Sequence, residues 1–127
     1  MHELFHASRR RFLAIASEFE LSPPQVRALG VLDPSRPVPM SELAEALHCD
    51  NSNVTGIVDR LEDRGLVERR SAKHDRRVKM LVVTPRGAEV REQLAVRLDE
   101  APPPLAALSP EDQRTLRDIM RRALDRD

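Results

Sequence analysis

Apolar positions in this chain recur mainly at the three- and four-residue spacing of amphipathic helices, and two short segments carry strand signals. Residues 3–19 predict a first helix, because the three phenylalanines of the chain fall seven residues apart on one face of it. A second helix is predicted from Ser22, where a serine cap, a following proline and Gln25 form a helix-start signal. Residues 33–39 are too rich in proline for a helix and predict a loop.

The middle of the chain predicts two more short helices and a β-hairpin. Ser41 caps the first helix, and either Asp50 or Asn51 caps the second, which Gly65 ends in the left-handed conformation that glycine adopts cheaply. The hairpin follows as two strand signals separated by seven polar residues: Val67–Arg70 and Val78–Val83.

Two further helices are predicted in the C-terminal third. Thr84 caps one that stops at the prolines 102–104, and Ser109 opens the last one. No repeat or flexible linker divides residues 1–127, which therefore predict a single domain of about six helices and one small hairpin. The fold class is mainly α with a small β-hairpin.

The order helix, turn, helix and basic hairpin in residues 41–84 is that of a winged helix-turn-helix. The second helix of this motif fits the major groove of DNA, while the hairpin, or wing, follows the backbone towards the minor groove. In this second helix, the residues outside the apolar stripe are small, polar or charged, as close contact with base edges requires. They are Asn51, Ser52, Asn53, Thr55, Gly56, Asp59 and Arg60.

The net charge of the chain is zero, with 21 basic and 21 acidic residues, but the positive charge is concentrated in the wing. Six cations there face one acid, Asp75, whose carboxylate we expect to orient a neighbouring arginine. Arg77 is the candidate for a narrow minor groove. Arg76 is a further DNA-binding candidate, and the candidates for contacts with phosphates are Arg69, Arg70, Lys73 and Lys79.

Gly56 is unusual because a glycine in a helix interior costs about 1 kcal/mol relative to alanine. A close approach of DNA to the helix backbone would explain it. An accidental glycine on the surface is an equally good interpretation of the sequence alone.

The segments SELAEALHCDNSNVTGIVDRLEDRGLVERR and HDRRVKMLVVTPRG resemble the MarR family of bacterial transcription regulators. The match includes the wing pair Asp75 and Arg77 and the Thr-Pro-x-Gly of residues 84–87. The resemblance implies a repressor that binds a pseudo-palindromic DNA operator as a homodimer and is released by a small-molecule effector. It also implies that residues of about 22–84 bind DNA, and that the dimerisation helices occupy about 1–20 and 86–127.

A homodimer is also indicated by the apolar faces at the two ends of the chain, which exceed what the central motif needs to cover. The alternative is that the phenylalanines are ordinary core of a monomer. The predicted interface residues are Phe5, Phe12, Phe19, Leu116, Ile119 and Met120.

Other functions have weaker support in the sequence. An enzyme would need more than the isolated thiol of Cys49, and neither a catalytic site, a cofactor nor a metal site is predicted. A redox role of Cys49, a metal role of His2 and His6, and a wing used for protein–protein contacts remain as alternatives. One cysteine, no membrane-length apolar run and no signal peptide predict a cytoplasmic protein.

Overall fold

The structure, a computed structural model, describes residues 1–125 apart from the side chain of Asn51. Within this range it contains seven helices: α1 (His2–Glu18), α2 (Pro23–Val31), α3 (Met40–Leu47), α4 (Asn51–Asp63), α5 (Pro85–Asp99), α6 (Pro103–Ala106) and α7 (Pro110–Leu124). Three strands form one antiparallel sheet: β1 (Val38–Pro39), β2 (Val67–Ser71) and β3 (Lys79–Val83). The prediction of a mainly α fold with a small β component is confirmed.

The sheet has the order β1-β3-β2, so the wing hairpin gains a third strand at its edge. The prediction that residues 33–39 are entirely loop is therefore wrong, because Val38 pairs with Leu81 and Pro39 with Met80. A two-residue strand is too short to leave a periodic signal, and an edge position tolerates a proline that lacks an amide hydrogen. The strand attaches the base of the wing to the start of α3.

The same strand shifts the start of α3. Ser41 is the predicted cap, but α3 begins at Met40. Pro39 occupies the cap position and makes no side-chain hydrogen bond to the helix. The extended backbone of β1 runs directly into the helix and sets its first residue. The other predicted caps are confirmed, with Asp50 rather than Asn51 capping α4: Ser22, Asp50, Thr84 and Ser109 each accept an amide hydrogen bond.

The prolines 102–104 also differ from the prediction. The helix α5 ends at Asp99, before them, and Pro103 begins the one-turn helix α6. Proline suits the first turn of a helix, where its missing amide hydrogen has no partner to lose. The count of about six helices is thus one short of the seven in residues 1–125.

The core lies where α2, α3 and α4 pack against the inner face of the sheet and against α1 and α5. It is almost wholly aliphatic, and each large side chain buried there contributes about 1.5–3 kcal/mol. The largest fully buried side chains are Ile15, Leu29, Leu32, Leu43, Leu61, Leu66, Leu81, Val38, Val54, Val58 and Val67.

The end of α4 and the start of α5 meet at the carbonyl groups of Gly65 and Leu66. Gly65 has a φ of 71° and ends α4, as predicted, while Leu66 packs into the core. Thr84 then donates its amide to the Leu66 carbonyl at 3.1 Å and its hydroxyl to the Gly65 carbonyl at 2.6 Å. On α5, a Cβ added at Gly87 would lie 1.9 Å from the Leu66 carbonyl oxygen. Only glycine allows the two backbones to approach this closely.

Three arginines bind the C-terminal ends of helices other than their own. The carbonyl groups of a last helical turn have no partner within the helix and attract cations, so each contact joins two elements favourably. Arg64 donates to Phe19 and Glu20 after α1, Arg91 to Leu29 and Gly30 of α2, and Arg11 to Arg97 and Glu100 at the end of α5.

We expect Gly87→Ala to lower the free energy of unfolding by about 2–3 kcal/mol, because the methyl group would displace the Leu66 carbonyl. Urea unfolding followed by circular dichroism measures this. Gly30→Ala is the matched control, since a Cβ there meets nothing within 4 Å. The control should be neutral or gain up to about 1 kcal/mol. Equal stability of the two variants would contradict the close approach.

Candidate nucleic-acid interface

A three-residue turn sets the angle between α3 and α4. The helix α3 ends at His48, which has a φ of 53°, and the Cys49 amide donates back to the Ala44 carbonyl at 3.1 Å. Asp50 then accepts the Asn53 amide at 2.9 Å and begins α4. The first bond uses a carbonyl group near the end of α3 and the second an amide at the start of α4. Such groups at helix ends lack a partner within their own helix.

The helix α4 divides into a buried face and an exposed face. Val54, Val58 and Leu61 are fully buried, and Ile57 is half-buried. The predicted base-contacting residues lie on the exposed face: Ser52, Asn53, Thr55, Gly56 and Arg60. Asn51 belongs to the same helix, but its side chain lies outside the described residues. A Cβ at Gly56 would meet nothing within 4 Å, so the packing of the protein does not require this glycine.

The carboxylate of Asp50 fixes the first turn of α4. Besides the Asn53 amide it accepts the Ser52 hydroxyl at 2.8 Å. The Asn53 amide and then the Ser52 hydroxyl hold the pKa of Asp50 below its usual value. The side chain of Asn53 projects from this ordered turn and is exposed.

Two grooves flank the exposed face of α4. One, of about 370 Å³, lies between α4 and the start of α2, where Arg27 joins Arg60 on its walls. The other, of about 330 Å³, lies between Thr55 and the base of the wing, where Arg77 and Lys79 line it. The polar ridge of α4 therefore stands between two concavities that both carry cations.

Arg27 is a residue that the sequence analysis missed. It is the only charged residue of α2 and is exposed, whereas Val26 and Leu29 of the same helix are buried in the core. Its charge, isolated in an otherwise uncharged helix, was the available signal.

The wing tip is shaped by Asp75. Its carboxylate accepts the Arg77 amide at 3.0 Å and lies 3.8 Å from Nε of the same arginine, while its carbonyl accepts the Val78 amide at 3.2 Å. The side chain of Arg77 is 96% exposed. Lys73 and Arg76 are exposed at the same tip. The carboxylate of Asp75 therefore binds the backbone of the tip, and the role of Asp75 in orienting an arginine side chain stays a prediction.

The two arginines of β2 have different environments. Arg69 is half-buried, and its Nη2 lies 2.6 Å from Asp59 and 2.9 Å from Glu62. Arg70 is exposed and lies 2.8 Å from Glu68. Asp59, expected to face outward with the polar face of α4, therefore turns towards the wing.

The predicted dimer residues are spread over two environments. Phe12 and Phe19 are half-buried and pack against the core of their own protomer, whereas Phe5 is 68% exposed. On α7, Leu116 is half-buried, and Ile119 and Met120 are 48% and 51% exposed.

The candidate sensing residues form no larger cluster. Nε2 of His6 lies 2.9 Å from Nε2 of His2, and Cys49 is a half-buried free thiol. In the part of the chain that the structure describes, no three histidine, cysteine or acidic residues are grouped to hold a metal ion. Among the described helices none has the length and apolar character that crossing a membrane would take.

Comparison with known proteins places this geometry in a family. The sequence model of the MarR family matches residues 21–79, from the start of α2 to the wing. The HTH-type transcriptional regulator YfiV of Bacillus subtilis is 30% identical over 115 residues, which cover 85% of this chain and 70% of YfiV. The transcriptional repressor MprA of Escherichia coli is 39% identical over 87 residues, which cover 68% of this chain and about half (49%) of MprA.

Solved structures show the same fold over nearly the whole chain. YusO of Bacillus subtilis superposes with a TM-score of 0.79 at 25% identity, covering 98% of this chain and 89% of YusO. A variant of S. aureus MepR bound to an oligodeoxyribonucleotide superposes with a TM-score of 0.76 at 20% identity, covering 98% of this chain and 92% of the MepR variant. The sequence model, the relatives and the fold agree, and the chain belongs to the MarR family of DNA-binding transcription regulators.

Proposed function

We propose that this protein binds a pseudo-palindromic double-stranded DNA operator as a homodimer and represses transcription in the cytoplasm. The observation that carries the proposal is the exposed polar face of α4, which stands between two cation-lined grooves beside an arginine-tipped wing. A selection of bound sequences from a random duplex library, followed by gel-shift titration, tests it. Binding that ignores sequence would contradict an operator.

Within this proposal α4 reads the bases. Ser52, Asn53 and Thr55 are exposed on the first two turns, and an asparagine can pair bidentately with adenine in the major groove. Gly56 leaves open space at the centre of this face. That space supports the interpretation in which DNA approaches the helix backbone closely.

The wing contacts the backbone and the minor groove. Arg77 is almost fully exposed at the tip, and its backbone amide donates to the carboxylate of Asp75. A narrow minor groove attracts such an arginine through its negative potential. The candidates for phosphate contacts are the exposed cations Arg70, Lys73, Arg76 and Lys79, together with Arg27 and Arg60 beside α4.

The dimer is proposed to form through the outer ends of α1 and α7. Phe5, Ile119 and Met120 expose large apolar surfaces there, while Phe12, Phe19 and Leu116 expose only parts of theirs. A two-fold axis would place two copies of α4 in successive major grooves, about 34–36 Å apart. This arrangement explains why an operator should be pseudo-palindromic.

Release by a small molecule has one supporting feature. A groove of about 600 Å³ lies between the end of α5, α6 and α7, with Ala101, Leu105 and Leu124 on its walls. Leu116 and Met120 line it as well and also belong to the proposed dimer face. An effector bound there would change how the two protomers are spaced.

A winged helix used for protein–protein contacts is the second candidate function. The cations at the wing tip favour DNA, because a protein partner gives no reason for them. Retention on random duplex DNA distinguishes the two functions, since phosphate contacts weaken steeply as salt rises. Retention that does not depend on salt would favour a protein partner.

Replacing Arg77 with alanine should weaken operator binding without affecting folding, because the side chain is 96% exposed. The slope of log affinity against log salt should fall by about 0.9 per lost phosphate-type contact, hence by about 1.8 for a dimer. Gel-shift titrations at several salt concentrations measure it. Arg122→Ala, which removes an exposed charge from α7, is the control and should change neither value. Unchanged affinity for the Arg77 variant would remove it from the interface.

We expect Asn53→Ala to relax the base preference while affinity for random DNA stays the same, because a base contact is lost and no phosphate contact. Sequence selection with both proteins measures this. A preference identical to that of the wild type would assign specificity to other residues of α4.

Gly56→Ala should raise the free energy of unfolding by up to about 1 kcal/mol, since alanine favours a helix and a Cβ meets nothing within 4 Å. The same variant should bind the operator more weakly if DNA approaches the backbone at this point. Higher stability together with unaltered binding would identify the glycine as an accident of the surface.

Ile119→Glu should dissociate the dimer, because a charge would be buried in an apolar interface. Sedimentation velocity gives the mass of the species in solution. Val31→Glu is the control, since Val31 has a similar exposure of 42% but lies on α2. A dimer that survives the Ile119 change would move the interface away from this face of α7.

A further inference from the structure

We propose that Arg69 is a positioning residue that holds the wing against the recognition helix α4, and that its acidic partners Asp59 and Glu62 therefore support DNA binding. The inference rests on the proposed function and changes the role of Arg69, which the sequence alone suggested as a phosphate contact.

The register of the sheet puts Arg69 on the inner face of the wing. It pairs directly with Leu81 of β3, whose side chain is fully buried. Side chains at paired positions lie on the same face of a sheet, and neighbours along a strand lie on opposite faces. Arg69 therefore shares a face with the buried Val67, whereas Arg70 projects from the other face and is exposed.

Three hydrogen-bonding contacts join this residue to α4. Its guanidinium Nη2 lies 2.6 Å from Oδ1 of Asp59 and 2.9 Å from Oε1 of Glu62. Its backbone amide donates to the other oxygen, Oε2, of Glu62 at 2.9 Å. Glu62 thus binds both the main chain and the side chain of one strand residue, which restrains the position of β2 as well as the direction of the arginine.

The charges at this point do not favour a phosphate. Two carboxylates face one guanidinium, so the cluster as a whole is negative. Nη2 of Arg69 contacts both acids. Arg77 and Lys73, by contrast, project from the tip into solvent. A cation that is already paired releases few counterions when DNA binds.

The contacts matter because they add polar bonds to the apolar base of the wing, where Val67 of β2 is buried in the same core as Leu61 of α4. The Gly65 turn joins α4 to β2 through the chain, and β1 supports the far side of the sheet. Arg69 fixes the strand in between. Without it, the part of β2 beyond Val67 would be held less firmly to α4, and any displacement would be largest at the tip that carries Arg77.

The test is the sign of the effect on DNA binding when an acid is removed. Glu62→Gln keeps the size of the side chain, and loss of an acid near DNA ordinarily strengthens binding by reducing repulsion. We expect the opposite here, a loss of operator affinity of about three- to tenfold with an unchanged salt slope. Asp59→Asn should act in the same direction.

Glu68→Gln is the matched control, because Glu68 lies on the same strand but pairs with the exposed Arg70. It should leave affinity unchanged or raise it. An operator affinity of the Glu62 variant that is unchanged or raised would overturn the inference. So would a reduced salt slope for Arg69→Gln, which would make Arg69 a phosphate contact.

The titration of Glu62 gives a readout that is independent of DNA. The Arg69 amide, and then its guanidinium, hold the pKa of Glu62 below its usual value. A group with a lowered pKa stabilises the fold above its ordinary pKa, and this contribution disappears as the pH falls through the lowered value. In Arg69→Gln the carboxyl resonance of Glu62 should titrate nearer its ordinary pKa; an unchanged titration would show that the link is not made.

Failure of this inference can be told from failure of the proposed function. If the wild type does not bind duplex DNA in a salt-dependent way, the proposed function is wrong. If the wild type binds and Glu62→Gln binds as well or better, only the positioning role is wrong.

Discussion

The close approach of α5 to the carbonyl of Leu66 is the constraint on which the rest of the structure depends. The end of α4, the beginning and end of the wing and the start of α5 all meet there, held by Thr84 and by the absence of a side chain at Gly87. Because a packed backbone junction cannot deform gradually, it fixes the directions of three elements at once. The helix α4, the wing and α5 therefore all begin or end at this junction, and α5 leads from it towards the proposed dimer face.

The zero net charge of the chain does not determine the charge of the surface around α4 and the wing. Many of its arginines are used internally, three at helix ends and others in ion pairs such as Arg69 with Asp59 and Glu62. The ion pairs also occupy acids such as Asp59 and Glu62. What remains exposed beside α4 and at the wing tip is mainly cationic, so a neutral chain can still present a positive surface to DNA.

The proposed dimer and the proposed DNA contacts lie at opposite ends of a continuous path. α7 carries exposed apolar residues, α5 connects this region to the Leu66 junction, and the junction carries the wing and α4. A change in the spacing of two protomers would thus reach α4 and the wing along α5, which packs against α1, α2 and β3. This is a physical route by which a ligand in the groove beside α7 could affect operator binding.

By itself the sequence determined six of the seven helices in residues 1–125, most of their caps, the left-handed end of α4 at Gly65 and the exposed polar face of α4. These features depend on local spacing and on single residues with strong backbone preferences, so they can be read without knowing what packs where. It also located the cationic tip and the role of Asp75 in shaping it, because that turn involves residues only two or three positions apart.

Only the tertiary structure decided the contacts between distant segments. The strand β1 exists because Val38 meets Leu81, and Arg27 joins the α4 surface because α2 packs beside α4. Phe12 and Phe19 turned out to pack on the protomer core, and Arg69 to bind Asp59 and Glu62, because the register of the sheet and the packing of helices chose their neighbours. The residue type limits what a side chain can bind, and the tertiary packing decides which partner lies within its reach.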